Sequence, residues 1–296
     1  MIASAKRILN FGSLNIDHVY KVEHFVKPGE TLAAQSYERF AGGKGGNQSI
    51  ALARAGARVF HAGKIGADGL WLKQLLIDNG ADAGFVEVVE GPSGHAVIQV
   101  NRKGENAIVI HGGANQKIKA ADAGRVLKEF GPGDFLVIQN EISAVPAIIK
   151  EAASRGLQIV FNPAPMKPEV LKYPLKLVSY FIINEVEGTE LTGRRKPKEI
   201  LDVMQKKFPQ ASVVLTLGEK GACFAGRGKR IAVPAQKVKP VDTTAAGDTF
   251  IGYFVAEIAS GNDVLNAMIT ACKAAAICVT RPGAADSIPF RREIPK

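Results

Sequence analysis

Cysteine is scarce in this 296-residue sequence. Cys223, Cys272 and Cys278 are the only three, and no two of them have the Cys-x-x-Cys spacing of a redox pair or a structural zinc site. A disulfide framework is excluded with them, and reduced thiols fit a cytoplasmic setting. The five histidines are scattered, with no pair at i, i+3 or i, i+4, so a helical zinc site is excluded as well. Long apolar runs are missing: nothing approaches the roughly 18 residues of a membrane span. The opening Met1-Ile2-Ala3-Ser4-Ala5-Lys6-Arg7 has basic residues but no apolar stretch, so no secretory signal is expected. Aromatic residues make up 7% of the chain, and none interleaves the basic runs Arg194-Arg195-Lys196, Lys206-Lys207 and Arg227 to Arg230. A nucleic-acid surface is therefore not expected. The formal charge of +10 reads instead as a solvated lysine-rich surface, or as a field that gathers small anions such as nucleotides.

What is present is an ordinary globular composition, 46% apolar and 22% charged, with enough length for a substantial core. Arg7–Phe11, Val59–Lys64, Phe135–Gln139, Gln158–Asn162, Phe181–Asn184 and Ser212–Leu217 are short, nearly continuous apolar runs, the pattern of strands covered on both faces. Helical patterns lie between them, Gln48–Ala55, Gly69–Asn79 and Val145–Arg155, each followed by Gly, which closes a helix with a left-handed residue. Alternation of this kind predicts an α/β fold, a mostly parallel sheet with helices on both faces, as a single domain over residues 1–296. Two stretches, about 16–40 and 96–111, alternate as antiparallel strands do. They predict a small second sheet, placed to act as a lid over a cleft.

Three motifs carry chemistry. Asp242-Thr243-Thr244-Ala245-Ala246-Gly247-Asp248-Thr249 precedes the apolar helical segment Phe250–Ala259. Small residues at a helix start let several backbone N–H groups converge on one anion, a phosphoryl group for instance. Asp248 at that point can accept a proton from an attacking alcohol; an exposed aspartate there is expected to be ionised, and the bland alternative is a plain N-cap. The second motif, Phe40-Ala41-Gly42-Gly43-Lys44-Gly45-Gly46-Asn47-Gln48, puts four glycines around one lysine ahead of a helix. It is not a Walker A loop, and its bland alternative is a flexible turn. The third, Gly12-Ser13-Leu14-Asn15-Ile16-Asp17, sets polar side chains at a strand's carboxyl end, where α/β sheets bind ligands. Gln139-Asn140-Glu141, Asn184-Glu185-Val186-Glu187 and Thr216-Leu217-Gly218-Glu219-Lys220-Gly221 sit at the same edge.

Taken together, from Gly12 to Pro289, these motifs resemble the ribokinase-like (phosphofructokinase-B type) sugar kinases in order and spacing. Gly42–Gln48 looks like that family's amino-terminal signature and Asp242–Asp248 like its carboxy-terminal one. The resemblance implies a three-layer α/β sandwich with a β lid that phosphorylates a sugar with ATP, ribose at its 5-hydroxyl before fructose, a deoxy-sugar or a nucleoside. It makes Asp248 the catalytic base and Ala245, Ala246 and Gly247 the anion hole. It gives Asn15, Asp17, Gly43, Lys44, Gly45, Asn47 and Glu141 to the sugar. Asn184 and Glu187 would place Mg²⁺ and phosphates, and Thr216, Gly218, Gly221 and Cys272 would meet the nucleotide. Asp242 and Thr244, carbonyls of Cys278, Arg281 and Gly283, and the Ser287 oxygen would hold an activating monovalent cation, usually potassium. A homodimer through the lid strands also follows from the family. Cys272 departs from the Asn or His common there, Ala41 from Pro and Ser49 from Ala, and Pro282 stiffens the cation loop. The rival class is a non-catalytic sugar-binding protein on the same fold, which needs neither Asp248 nor the anion site.

Overall fold

The computed structural model describes residues 6–295; Met1–Ala5, read above for a signal sequence, lie outside the described residues. The chain opens on β1 (Arg7–Phe11) and leaves at once for two strands of a second sheet, β2 (Asn15–Lys21) and β3 (Ser36–Gly42). Helix α1 (Lys44–Arg54) leads back to β4 (Arg58–Ile65), α2 (Leu70–Asp78) and β5 (Asp82–Val88). A second excursion builds β6 (Gly94–Val100) and β7 (Asn106–His111). Then follow α3 (Ala120–Leu127), β8 (Phe135–Gln139), α4 (Val145–Ser154), β9 (Gln158–Asn162) and β10 (Tyr180–Asn184). The last part comprises α5 (Glu185–Thr192), α6 (Pro197–Lys207), β11 (Ser212–Thr216), β12 (Ala222–Gly226), β13 (Lys229–Val233), α7 (Ala246–Ala259) and α8 (Val264–Cys278).

The main sheet has nine strands in the order β13-β12-β11-β10-β9-β8-β1-β4-β5. From β11 through β5 every pairing is parallel, and only the β11–β12 and β12–β13 pairings at one edge are antiparallel. Side chains alternate across each strand, so a continuous apolar run feeds two cores at once. Ile8, Val137, Val160, Ile182 and Val214 pack with Ile50 of α1, Leu72 of α2, Phe254 of α7 and Met268 of α8. Leu9, Leu136, Ile159, Phe181 and Leu215 pack on the opposite face with Val126 of α3, Ile148 of α4, Leu191 of α5 and Met204 of α6. The three layers expected from the sequence are present.

The six strands read from apolar runs all form. Three strands of the main sheet lack that signal. β5 is a half-exposed edge strand with Gly84 in it, so its core face is too narrow to register as an apolar run. β12 and β13 join through Arg227 and Gly228, both at positive φ (50° and 72°), the geometry of a two-residue hairpin turn. One basic run of the sequence is therefore a tight turn. The small sheet has the order β3-β2-β6-β7. Its two outer pairs are antiparallel, as expected, whereas β2 and β6 run parallel. The reason is connectivity: β6 reaches β2 only after the chain has crossed the main domain, and such a crossover permits parallel pairing where a hairpin does not. Among the described residues no helix is long and apolar enough to cross a membrane.

Candidate active site

Polar residues at the carboxyl ends of β1, β8, β9, β10 and β11 meet the first turns of α1 and α7, the edge where open α/β sheets take ligands. A cavity of about 180 Å³ lies there, lined by Lys44, Asn162, Asn184, Glu187, Thr216, Ala245, Gly247 and Asp248 among others. α7 begins after Ala245, whose φ of 60° is left-handed and costs a non-glycine residue about 1–2 kcal/mol. Ala245 itself and the Gly247 and Asp248 that follow it line the cavity. The first amides of a helix have no carbonyl within it. Ala246 N–H uses the Thr243 carbonyl (3.3 Å), and Thr249 N–H makes the first regular bond to Ala245 (2.8 Å). The Gly247 and Asp248 amides between them remain for a ligand anion.

Asp248 is not an N-cap, and it is not the exposed aspartate expected from sequence. It is the third residue of α7 and half-buried, with its carboxylate turned to α1: Oδ2 accepts from Asn47 Nδ2 (3.1 Å) and Oδ1 from Gln48 Nε2 (2.8 Å). Burial pushes this carboxyl above its usual range, against the Lys44 charge and the bonds from Gln48 and Asn47. A raised pKa makes a carboxylate a stronger base.

The glycine-rich segment is no flexible turn. Gly43 sits at φ 89° and α1 begins at Lys44. Gly45 lies flat on the link after β1, where a Cβ would come within 2.6 Å of the Gly12 backbone. This contact lets Lys44 N donate to Glu141 Oε2 (2.9 Å), which also accepts from Ser13 Oγ (2.6 Å). Three separate segments are thus tied at one carboxylate. Asn15 is oriented by Asn115, whose Nδ2 donates to Asn15 Oδ1 (2.7 Å). Asn115 is fully buried and also grips both the N–H and the carbonyl of Leu14. Asp17 packs over Gly42, where a Cβ would collide with its carboxylate.

Charge organises the group. Burial and then the Glu141 carboxylate push Asp17 up to about 6, with Lys44 opposing. Burial pulls Lys44 down, but the carboxylates of Asp248, Glu141 and Glu187 outweigh it and hold the ammonium above its ordinary value. Its Nζ stands 3.8 Å from Glu141 Oε1.

On the other side of Asp248, Asn184 caps α5 and closes a capping box with Glu187. Glu187 accepts from Asn184 N (2.9 Å) and Asn184 Nδ2 (3.0 Å). Burial raises its pKa, partly offset by the Asn184 amide and Lys44. Thr216 ends β11 against the same cavity. Three residues assigned to the nucleotide are not brought to this cavity lining. Gly218 and Gly221 shape the turn after β11, both at positive φ, and a Cβ on Gly221 would strike Val233 and Ala235. Cys272 is buried in the core beneath α8, and burial pushes its thiol up to about 11.

The residues assigned to a monovalent cation do come together. Asp242 Oδ1 accepts from Thr244 N (2.9 Å) and Thr244 Oγ1 (2.6 Å), and Oδ2 from Gly283 N (3.0 Å). Ser287 Oγ lies 3.0 Å from Cys278 Sγ, and the Cys278 carbonyl accepts from Arg281 N (3.1 Å). Sequence reasoning gave no role to Gln48, Gln139, Ser13 or Asn115. Gln48, Gln139 and Ser13 lie inside the motifs above, but their partners are remote in sequence and carry no local signal.

Residues 5–291 match the family described as pfkB family carbohydrate kinase. A ribokinase of Haemophilus influenzae is 36% identical over 299 residues, covering 97% of each chain. The crystal structure of a Cryptococcus neoformans ribokinase in complex with ADP superposes with a TM-score of 0.88 at 34% identity, over 98% of both chains. An Arabidopsis thaliana ribokinase complexed with ribose and ATP gives 0.87 at 30% identity, over 98% of this chain and 97% of that one.

Proposed function

The chain belongs to the pfkB family of carbohydrate kinases, and on that premise we propose that it transfers the γ-phosphoryl group of ATP to the primary 5-hydroxyl of D-ribose, giving ribose 5-phosphate and ADP. The observation that carries this reading is the place of Asp248. Its carboxylate is held by Asn47 and Gln48 of α1 and shares the Lys44 charge with Glu141, and it lines the same cavity as Asn184, Glu187 and Thr216.

Ribose offers several hydroxyls. Asp17 makes no side-chain hydrogen bond among the described residues, so its oxygens are free to accept two of them, with Asn15, Lys44, Asn47 and Glu141 supplying the remaining donors and acceptors. Asp248 takes the proton of the 5-hydroxyl as its oxygen attacks phosphorus. The Gly247 and Asp248 amides face the charge that moves onto the transferring group, with Ala245 and Ala246 shaping that turn. ATP enters along Asn184, Glu187 and Thr216, with the turn at Gly218 and Gly221 and the wall near Cys272 beyond.

Glu187 fits magnesium held through water: its oxygens are fixed by amides, it lines the cavity with Asp248, and among the described residues no group of three metal-ligating side chains forms a protein cage. Bound with ATP, the metal neutralises phosphate charge. Asp242, Thr244, Ser287 and the carbonyls of Cys278, Arg281 and Gly283 form an all-oxygen set suited to potassium. The small sheet, with strands inside about 16–40 and 96–111 of one domain spanning 1–296, closes as a lid and excludes water. Its exposed Ile108, Val109 and Ile110 fit a homodimer through the lid strands. The three free cysteines fit a cytoplasmic protein.

The test is a panel of D-ribose, D-fructose, 2-deoxy-D-ribose and adenosine with coupled ADP detection. D-ribose is expected to lead in kcat/KM by about tenfold or more, the worth of one well-placed hydroxyl contact. If fructose or adenosine leads, the ribose assignment is wrong; ribose binding without ADP release would favour the non-catalytic rival. The sugar affinity carries a second signature. The raised pKa means Asp17 holds its proton up to about pH 6, and a protonated carboxyl has lost acceptor capacity. Ribose affinity measured by calorimetry is therefore expected to fall by about tenfold per pH unit below that value, since one proton must be lost on binding. Asp17→Asn should bind more weakly and lose this dependence. The same slope in the variant would remove Asp17 from the role.

A further inference from the structure

Behind Asp248 lies a chain of polar side chains that the reaction does not touch. Gln48, Gln139, Asn10, Ser49 and His61 are all at most 1% exposed. Gln48 Nε2 donates to Asp248 Oδ1 (2.8 Å), and Gln48 Oε1 accepts from Gln139 Nε2 (2.7 Å). Gln139 Nε2 spends its other hydrogen on Asn10 Oδ1 (2.9 Å). Asn10 Nδ2 in turn donates to the Gly45 carbonyl (2.8 Å) and to Ser49 Oγ (2.9 Å), and Ser49 Oγ meets His61 Nδ1 (2.8 Å). Burial pulls the His61 imidazole down to about 4, so the chain is neutral throughout at pH 7.

The bonding has one sense. Both hydrogens of the Gln139 amide point at carbonyl oxygens, one of them on Gln48. The Gln48 carbonyl must therefore face Gln139, and its NH₂ must face Asp248. Turning the Gln48 amide over would set NH₂ against NH₂ and leave the carboxylate facing a carbonyl oxygen, both without water to compensate. Asn10 fixes Gln139 in the same way and ties the network to the first turn of α1 through Gly45.

We propose that Gln48, locked by Gln139 and Asn10, is a positioning residue that fixes the rotation of the Asp248 carboxylate and favours its ionised form. The inference rests on the kinase reading above and adds to it a cause for the base's orientation. A buried carboxylate with a single partner, Asn47, could rotate about its Cβ–Cγ bond. Asn47 is itself assigned to the sugar, so the fixed reference must come from the protein side, and Gln48 supplies it.

Gln48→Leu keeps the volume and removes the donor. Expected is a fall in kcat of about 10–100-fold, within the range for disturbed general-base geometry, with ribose KM changed less than about threefold. The acid limb of the kcat profile should move to higher pH, because a bond to the charged form is lost. Gln139→Leu should act in the same direction and more weakly, since Gln48 remains but is free to turn. In an Asp248→Asn background, Gln48→Leu should change the residual turnover less than about twofold. A purely structural role would instead give equal losses in both backgrounds and an unmoved acid limb, and that result overturns the proposal. Gln48→Glu keeps the shape if the leucine variant does not fold; ionised, it offers Asp248 no donor and sets a second negative charge beside it, so it should drive the acid limb up further. Carbon NMR titration of the Asp248 carboxyl in the unliganded protein reads the same shift without turnover. Failure of wild-type ribose phosphorylation would count against the kinase reading, while an unmoved Asp248 titration in Gln48→Leu counts against this one alone.

Discussion

Asp248→Asn is expected to lower kcat by about 10³–10⁴-fold while D-ribose still binds within a few-fold of its wild-type affinity. The amide oxygen can keep the bond from Gln48, because the buried network holds that donor in place. The amide nitrogen then faces Asn47 Nδ2, donor against donor, which accounts for the small loss in affinity. What disappears is the acceptor for the 5-hydroxyl proton, an interaction realised only as the alcohol attacks. An interaction of that kind appears in kcat and not in binding. Thermal stability should move the other way. Burial raises the Asp248 pKa, so the folded state holds this proton more tightly than the unfolded chain does. Stability contributed by the neutral form is therefore present at low pH and lost as pH rises through the folded pKa. Above the folded pKa the ionised group is a net cost that asparagine does not carry, so Tm measured there should rise as activity falls. Coupled ADP release, ribose calorimetry and a melting curve on one preparation decide it. Turnover within tenfold of wild type would remove Asp248 from the role of base, and a lowered Tm would contradict the assigned burial cost.

Strands such as Phe135–Gln139 and Gln158–Asn162 were legible because a strand covered on both faces must be apolar at every position, and no other short element needs that. The edge strand β5 and the β12–β13 hairpin were not legible, since one open face dilutes the apolar signal. The motifs gave the location of the site for a similar reason: glycines and polar residues at strand ends interrupt an otherwise apolar rhythm. They did not give its internal wiring. Asn47 and Gln48 lie about 200 positions from Asp248, and Gln139 lies 91 from Gln48. Which of two adjacent amides faces a carboxylate depends on how α1 and α7 cross, and sequence spacing does not contain that crossing. Burial was misjudged for the same reason. Asp248 looked exposed because helix starts usually are, but here the helix start is covered by a second helix start.

Gly45→Ala is expected to weaken ribose binding by about 100-fold or more and to lower the melting temperature, although the added methyl group would favour a helix elsewhere. Gly45 is the second residue of α1, and a Cβ there would meet the Ser13 amide and lie 2.6 Å from both the Gly12 carbonyl carbon and Cα. All three are backbone atoms, with no flexible end to swing aside. Either α1 or the β1–β2 link must move by several tenths of an ångström. Both carry the site: the link bears Ser13 and leads directly into Asn15 and Asp17 of β2, and α1 bears Lys44, Asn47 and Gln48. The bonds that join them, Lys44 N and Ser13 Oγ to Glu141 at 2.9 and 2.6 Å, have little room for such a shift. A displacement approaching 1 Å at a site of this kind costs about 10²-fold. Gly124→Ala is the matched control. It lies in α3 with nothing within 4 Å of its added Cβ, so it should gain about 0.5–1 kcal/mol from helix propensity and leave turnover unchanged. A Gly45→Ala protein that binds ribose as the wild type does would mean the helix start is not held against the β1–β2 link, and the positions assigned to Lys44 and Asn47 would fall with it.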